Sequence, residues 1–449
     1  MPVSGTWTVQ NKQRPGAYIN FVSVPKPVGP IGSRGVMICA LPMTWGPTNK
    51  LITLYGDDLL NGQSISKVGC DAYDVEESLP YRLALAGCYK ALLFRLDIGG
   101  SKATASISAD LTVNAKYPGS TGNNISISIT RPNLEAEQYI VEVRFKNAKR
   151  ESFVVSSAEE LKAIESEWVD FVGTGSTIPD TAGITLENGV NGQTSADLEN
   201  FFNLASGETW NCLAVNSVEE TVQTAIAEFI MMMRDTRGKK VQGVVYNYAE
   251  ANHEGIISVH QGFTTSKDTV GVDLFPVYVA SMTAGANINE SITAKVIEDA
   301  KTIIEPVAED KVEDALRAGK FLLTYRQDGA VCMEKDINTL STFTVDKGDA
   351  FSKNRIVRCL DEIGNTVALI FNRNYCGKID NNEIGRNMYK VELISMMDQL
   401  VDMGAIQNFK GAEDITILPG EDIDSVVVDM VIQPVHSIEK MYMTVNVNA

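Results

Sequence analysis

The chain has 449 residues, of which 44% are hydrophobic and 21% charged, a composition typical of a soluble globular protein and unlike that of a disordered one. Its formal net charge of −18 argues against a protein that binds the phosphate backbone of nucleic acid, because such proteins carry a clustered excess of lysine and arginine. The acidic residues are spread along the chain without a long acidic tail. Since a single core rarely exceeds about 250–300 residues, the length predicts about two to four domains.

The cysteines and the N-terminus predict a protein made and folded in a cytoplasm. No basic region followed by an apolar one opens the chain, so we expect no signal peptide, and no apolar run approaches the roughly 20 residues that span a bilayer. The seven cysteines are odd in number, have no C-x-x-C spacing and lie mostly in apolar runs, which predicts buried reduced thiols; they are Cys39, Cys70, Cys88, Cys212, Cys332, Cys359 and Cys376.

Residues 1–33 are rich in glycine and proline and predict an extended arm rather than a domain. Short strand-like pieces at 6–9 and 17–22 flank the turn signal Pro15-Gly16. The prolines at 25, 27 and 30 prevent a helix in the rest of this segment.

Apolar runs and helical patterns alternate in two separate stretches, 34–98 and 200–330. The first has strand-like runs at 35–41 and 91–96 around a helical pattern at Leu83, Ala86, Gly87 and Lys90. The second has strand-like runs at 209–216, 240–247 and 255–260. Between the first two of these lies a helix, for which Ser217 and Glu220 predict a capping box and Gly238 the end. We therefore predict one discontinuous α/β core domain, 34–98 plus 200–330.

The intervening residues, 99–199, predict an inserted antiparallel β-rich domain. Apolar and polar residues alternate in "NISISIT" and "YIVEVRFK", the pattern of strands with one wet face. A helix should follow, capped by Ser157 and Glu160, with Leu161, Ile164 and Trp168 on its apolar face.

Residues 331–434 predict a C-terminal α/β domain, and residues 435–449 a terminal strand. Two amphipathic helices are expected at 350–374 and 387–404, the second with its apolar face at Val391, Ile394, Met397, Leu400 and Val401, and a strand follows around 425–435. In the last residues Met441, Met443, Val445 and Val447 alternate with polar residues or tyrosine. Such a strand either folds back onto its own domain or pairs with another chain.

No motif predicts an active site, a cofactor or a metal. His253, His260 and His436 have no metal-ligand spacing, no G-x-S-x-G or G-x-x-x-x-G-K-[ST] occurs, and "GTGST" at 173–177 is interpreted as a connection. We expect no enzymatic activity. An α/β enzyme with a β-rich insert and a host-binding surface protein that uses the insert remain the alternatives.

Four segments, in order along almost the whole chain, carry a family resemblance. "RPGAYINF" and "VVVDMVIQPVHSIEKMYMTVNV" resemble the opening and closing motifs of contractile phage tail sheath proteins. "AKYPGSTGNNISISI" is similar to the start of the inserted β-domain in sheaths of phages of Gram-positive bacteria, and "LENGVNGQTSADLENFFNLASGETWNCLAVN" resembles the return to the core.

The resemblance implies a structural subunit of hexameric rings stacked helically around an inner tube, assembled in the bacterial cytoplasm. The implied partners are further copies of the chain, the inner tail tube protein, and baseplate and tail terminator proteins, with no nucleic acid and no membrane insertion. A virion tail and a headless bacteriocin-type particle are equally compatible. The two arms are expected to add strands to neighbouring subunits, through Trp7, Val9, Tyr18, Ile19, Phe21, Met441, Met443, Val445 and Val447.

Overall fold

The computed structural model describes residues 34–97, 99–132, 137–192 and 198–447, together with the backbone of two short strands near the N-terminus. The chain divides into two compact units, residues 1–33 and residues 34–449. Within the first unit, β1 (Val3–Gly5) and β2 (Gly16–Tyr18) pair in parallel. The strand predicted at 6–9 lies outside the described residues, as does the part of the 17–22 strand beyond Tyr18.

Residues 34–97 form the first part of the core layer. All six residues of β3 are buried, as expected of a strand that is covered on both faces. The elements are β3 (Val36–Leu41), β4 (Leu51–Tyr55), α1 (Gly56–Leu60), α2 (Ser64–Val68), α3 (Leu79–Ala84) and β5 (Lys90–Arg95).

Residues 99–192 form two antiparallel sheets, with strand orders β10-β9-β8-β12 and β11-β7-β6. The alternation predicted in the insert is confirmed, because Ile127 and Ile129 are buried and pair across to the buried Val143 and Val141. The elements are β6 (Lys102–Ser108), β7 (Leu111–Pro118), a 3-10 turn (Ser120–Asn124), β8 (Ile125–Thr130), β9 (Tyr139–Phe145), β10 (Ala148–Val155), α4 (Ala158–Lys162), β11 (Val169–Gly173) and β12 (Thr181–Thr185).

After the insert the chain returns to the first layer. The elements are α5 (Leu198–Gly207), β13 (Cys212–Val215), α6 (Glu220–Met231) with a π turn (Met232–Thr236), β14 (Gln242–Tyr246), a 3-10 turn (Ala249–Ala251), β15 (Ile256–Val259), β16 (Gly262–Thr265), β17 (Thr269–Val270), α7 (Phe275–Gly285), β18 (Ala300–Ile304), α8 (Glu309–Arg317), β19 (Leu323–Tyr325) and β20 (Val331–Met333).

One six-stranded sheet joins the two stretches, in the order β15-β14-β13-β3-β5-β4. Neighbouring strands in this sheet run parallel to each other, except that β4 is antiparallel to β5. The register of β13 on β3 places Cys212 beside Met37, although the whole insert separates the two residues in the sequence. The mixed α/β fold class predicted from the sequence is therefore confirmed.

The C-terminal part is built on two long helices. Its elements are a 3-10 turn (Asp349–Ser352), α9 (Asn354–Ile370) with a π turn (Phe371–Tyr375), α10 (Glu383–Asp402), β21 (Ile406–Gln407), β22 (Ile415–Pro419), β23 (Val426–Met430) and β24 (Gln433–Pro434). β21 pairs with β24, and β22 pairs with β23, in two separate antiparallel sheets.

Two predicted helices are wrong in detail because packing ends or rotates them. α4 stops at Lys162, and Trp168 leaves it to stack on the rings of Trp45 and Phe145, with centroids 5.5 and 4.9 Å away. In α10 the buried face is rotated relative to the prediction: Val391 is exposed, whereas Leu393 and Met396 are buried together with Met397 and Leu400.

The capping box predicted at Ser217 and Glu220 is also wrong. α6 begins at Glu220, its N-cap residue is Glu219, and no side chain caps it. The Ser217 hydroxyl instead accepts a hydrogen bond from the Glu219 amide, 3.2 Å away, in the turn before the helix.

The helix predicted through Gly87 ends at Ala84 because the chain turns there to approach α7 closely. A Cβ on Gly285 would lie 1.7 Å from the Gly87 carbonyl oxygen, and one on Gly87 would lie 2.6 Å from the Met282 Cα. The Gly87 amide also donates to the Ser281 hydroxyl at 2.9 Å. Two glycines thus allow backbone to touch backbone between the α3 loop and α7.

We expect Gly285→Ala to lower the free energy of unfolding by about 1–3 kcal/mol, since the new methyl group meets backbone that cannot rotate away. Urea denaturation of the unassembled chain measures this. Gly207→Ala is the matched control, because a Cβ there meets no atom within 4 Å. Equal midpoints for the two variants would contradict the close contact.

Candidate subunit interface

The C-terminal tail, residues 435–447, has neither helix nor strand in the single chain. Met441, Met443, Val445 and Val447 are 79%, 71%, 67% and 84% exposed, and Tyr442 on the opposite side is 88% exposed. The sequence predicted a half-buried strand, which is not present within this chain, because a strand without a partner leaves its N–H and C=O groups unpaired. Beyond Glu439, the described part of the tail forms no strand with its own domain.

The root of this tail is fixed to the core. The Val435 amide donates to the Ala405 carbonyl at 2.9 Å. Four residues later, Glu439 accepts hydrogen bonds from the Lys353 Nζ at 2.5 Å and from the Thr293 hydroxyl at 3.3 Å, and its side chain is only 20% exposed. The chain therefore leaves the fold at a defined point, and the unattached length begins at Lys440.

A second unpartnered element is the hairpin formed by β22 and β23. Ile415 lies opposite Met430 and Leu418 opposite Val427. No described strand adds to either side of this two-stranded sheet. Each of its strands consequently offers one edge of main-chain donors and acceptors to a further strand.

The hairpin is held firmly against the helices. Ile415 is fully buried, and the Lys390 Nζ on α10 donates to the Ala412 carbonyl at 2.8 Å. The Asn381 side-chain amide donates to the carbonyls of Ile423 and Ser425, both at 2.9 Å. Its open edges are thus fixed in position before any partner arrives.

The residues predicted to exchange strands fall into three groups. The C-terminal four are placed on the exposed tail, and Tyr18 falls in β2, whereas Trp7, Val9, Ile19 and Phe21 lie outside the described residues. Sequence reasoning named no receiving residues. The signal for them was present, since apolar alternation on both sides of "PGEDIDS" is the pattern of a hairpin.

Buried ion pairs join the C-terminal helices to the core. The Arg234 guanidinium donates to both carboxylate oxygens of Asp361 on α9, at 2.6 and 2.8 Å, and both side chains are almost fully buried. Arg358, also on α9 and fully buried, donates to Asp336 at 2.5 Å and to the Glu290 carbonyl at 2.8 Å. α9 is therefore anchored to the core at two points three residues apart.

The cysteines and His253, which are residue types that often serve catalysis, occupy structural positions in this fold. Six of the seven cysteines are buried and all are free, as predicted. Burial raises the pKa of Cys70 and of Cys359 to about 12, so these thiols stay protonated and are poor nucleophiles near neutral pH. Burial lowers the pKa of His253, and its Nδ1 accepts a hydrogen bond from the Gly255 amide at 3.0 Å.

An open groove of about 950 Å³ lies beside α8, and its walls include the tail root at Glu439 and Lys440. Within the described ranges, no three His, Cys, Asp or Glu side chains converge as metal ligands. Over the same residues, no helix has the length and apolar character needed to cross a bilayer.

Three family models match this chain in succession. They are described as the phage tail sheath protein beta-sandwich domain, over residues 99–191, the phage tail sheath protein central domain, over 191–339, and the phage tail sheath C-terminal domain, over 346–448.

Similar proteins include one that matches the whole chain and one that matches part of it. The phage-like element PBSX protein XkdK of Bacillus subtilis is 34% identical over 99% of both chains, and a tail sheath protein of Clostridium phage phiCD119 is 23% identical over 44% of this chain and 55% of its own. The crystal structure of a sheath tail protein from Desulfitobacterium hafniense superposes with a TM-score of 0.80 at 35% identity, covering 95% of this chain and 99% of that one.

More distant sheaths share the fold. A sheath tail protein from Listeria innocua has a TM-score of 0.80 at 30% identity over 92% of this chain and 95% of its own. The anti-feeding prophage sheath in its contracted state has a TM-score of 0.53 at 10% identity over 96% of this chain and 98% of its own. The chain belongs to the phage tail sheath protein family, whose members are structural proteins.

Proposed function

We propose that this chain is the contractile sheath subunit of a phage tail or related particle. Copies would form hexameric rings stacked helically around an inner tube, assembled in the bacterial cytoplasm and bounded by baseplate and tail terminator proteins. On contraction the sheath would drive the tube through a bacterial envelope. Shortening would need no nucleotide, because the energy is stored when the extended form is assembled.

The observation that carries this proposal is that one chain holds both an exposed amphipathic tail and a sheet with open edges. The tail beyond Glu439 presents four alternating apolar side chains to solvent, and the β22–β23 hairpin presents two open edges. A second copy would satisfy both by β-augmentation, in which backbone bonds give attachment and alternate side chains give register.

The length of the tail permits the exchange. The ten residues from Lys440 to Ala449 reach roughly 33 Å when extended. The tail root is bound at Ala405 and Lys353, neither of which belongs to the hairpin. Each added backbone bond would contribute about 0.5–1.5 kcal/mol net, so several bonds plus buried Met and Val side chains would make a durable link.

The test is electron microscopy of the purified full-length chain at increasing concentration, followed by a map of any tubes formed. We expect long hollow striated cylinders in which the 440–449 strand of one subunit hydrogen-bonds to β22 or β23 of another. Monodisperse particles at high concentration, or tubes whose tails stay on their own subunits, would refute the proposal.

A further inference from the structure

The charged residues of the N-terminal segment are all basic, whereas those of the hairpin segment are all acidic. Three of the 39 basic residues, Lys12, Arg14 and Lys26, and none of the 57 acidic residues fall in residues 1–33. The other 416 residues therefore carry a net charge of −21. In a chain that should repel its own copies, this segment is the part with the opposite sign.

The hairpin segment, residues 411–435, has the reverse composition. It contains six acidic residues and neither lysine nor arginine; the acidic residues are Glu413, Asp414, Glu421, Asp422, Asp424 and Asp429. Glu413 pairs with Lys410 at 3.8 Å, whereas no described lysine or arginine pairs with the other five. Glu421, Asp422 and Asp424 form the exposed turn between β22 and β23.

The same hairpin leaves apolar side chains in water. Leu418 and Val427 face each other across the two strands and are 52% and 48% exposed, and Ile423 in the turn is 95% exposed. A strand that combines alternating apolar residues with positive charge would therefore complement both features of the hairpin. The C-terminal tail supplies only the apolar residues, since Glu439 and Lys440 cancel and the side chains of residues 441–449 are uncharged.

We infer that the β22–β23 hairpin selects the N-terminal segment of a second copy by charge, and that the C-terminal tail attaches without charge pairing, by backbone hydrogen bonds and its apolar side chains. Lys12 and Arg14 lie between the strand-like pieces 6–9 and 17–22, within about 17 Å of extended chain from either, so they can reach the acidic turn while a strand pairs with the edge. This inference rests on the proposed strand exchange and specifies which end is recognised electrostatically.

Substitutions that reverse the charge of the N-terminal segment or of the hairpin test the inference. The salt concentration is held constant, because raising it would also screen the repulsion between subunits. The arm variant is Lys12→Glu, Arg14→Glu, Lys26→Glu, and the hairpin variant is Glu421→Lys, Asp422→Lys, Asp424→Lys. We expect each to raise the concentration needed for tube formation about 10-fold, measured by sedimentation at 50 mM NaCl, and their combination to restore it.

The matched control is Lys50→Glu, Lys267→Glu, Lys311→Glu, which changes the net charge as much at exposed lysines that pair with no described acidic residue. The inference would be overturned if the arm variant formed tubes at the same concentration as the control variant. It would also be overturned if the combined variant still needed a raised concentration for tube formation. The proposed function has a separate test in removal of residues 438–449. Tubes from that truncated chain would overturn the exchange itself, whereas loss of tubes there, with no effect of arm charge, would overturn only the electrostatic selection.

Discussion

Removal of residues 438–449 is expected to leave a folded, soluble subunit that builds no long tubes. Over the described part of this segment, the hydrogen bonds to the core are those of Glu439 with Lys353 and Thr293, so its loss should change the free energy of unfolding by no more than about 1 kcal/mol. The same segment carries the four alternating apolar side chains that the single chain leaves exposed. Assembly should therefore fail while the fold survives.

Electron microscopy for tubes and urea denaturation for the fold measure the two effects on the same sample. A finer version keeps the chain length and replaces Met441, Met443, Val445 and Val447 by serine. Its matched control, Tyr442→Ser with Asn446→Ser, alters the opposite side of the tail and should still give tubes. Normal tubes from the truncated chain would mean that the tail does not link subunits.

Asp361→Ala is expected to lower the free energy of unfolding by about 3–5 kcal/mol, which is the usual cost of leaving a buried charge without its partner. Arg234 would keep its hydrogen bond to the Val241 carbonyl, but the nearest remaining carboxylate, Glu254, is 3.7 Å away. Because Asp361 lies on α9, the variant should also loosen the C-terminal helices from the core. Urea denaturation gives the size of the loss, and tryptic cleavage reports the loosening.

Arg317→Ala provides the control for this experiment, since that side chain is 72% exposed and pairs only on the surface of α8, where a loss of about 0–1 kcal/mol is expected. A second variant, Arg234→Met with Asp361→Leu, removes both charges and should recover most of the stability, because paired burial costs desolvation that apolar side chains avoid. If Asp361→Ala behaved like Arg317→Ala, the pair would not anchor α9.

Local patterns predicted the elements that bury a whole face. The unbroken apolar run at Val36–Leu41 forms a central strand, and the alternation at Ile125–Thr130 forms a strand with one wet face. These predictions succeed because the period of the apolar residues depends on the geometry of the strand itself. They fail where contacts with distant residues determine the local structure. Trp168, for example, lies outside the helix predicted to contain it and stacks on Trp45.

At the candidate interface, too, one part was predicted from the sequence and the other parts were not. The tail at Met441–Val447 was readable as an amphipathic strand, and its exposure in the single chain leaves those side chains available. The open hairpin was not identified from sequence, because periodicity indicates that a strand has a buried face but not whether a third strand covers its edge. The anchoring of the tail at Glu439 had no sequence signal at all, since a lone glutamate beside a lysine is usually a solvated pair.

The sequence by itself determined several core strands, the two long C-terminal helices, the α/β character of the core, the alternating strands of the insert and the amphipathic tail. Only the tertiary structure decided the pairing of β13 with β3, the Gly87–Gly285 contact and the Arg234–Asp361 ion pair. The reason is that short-range periodicity indicates which side of a helix or strand is buried, but not what that side packs against. In each of these three pairs the two partners lie more than a hundred residues apart in the sequence, and the packing of the whole chain selects them.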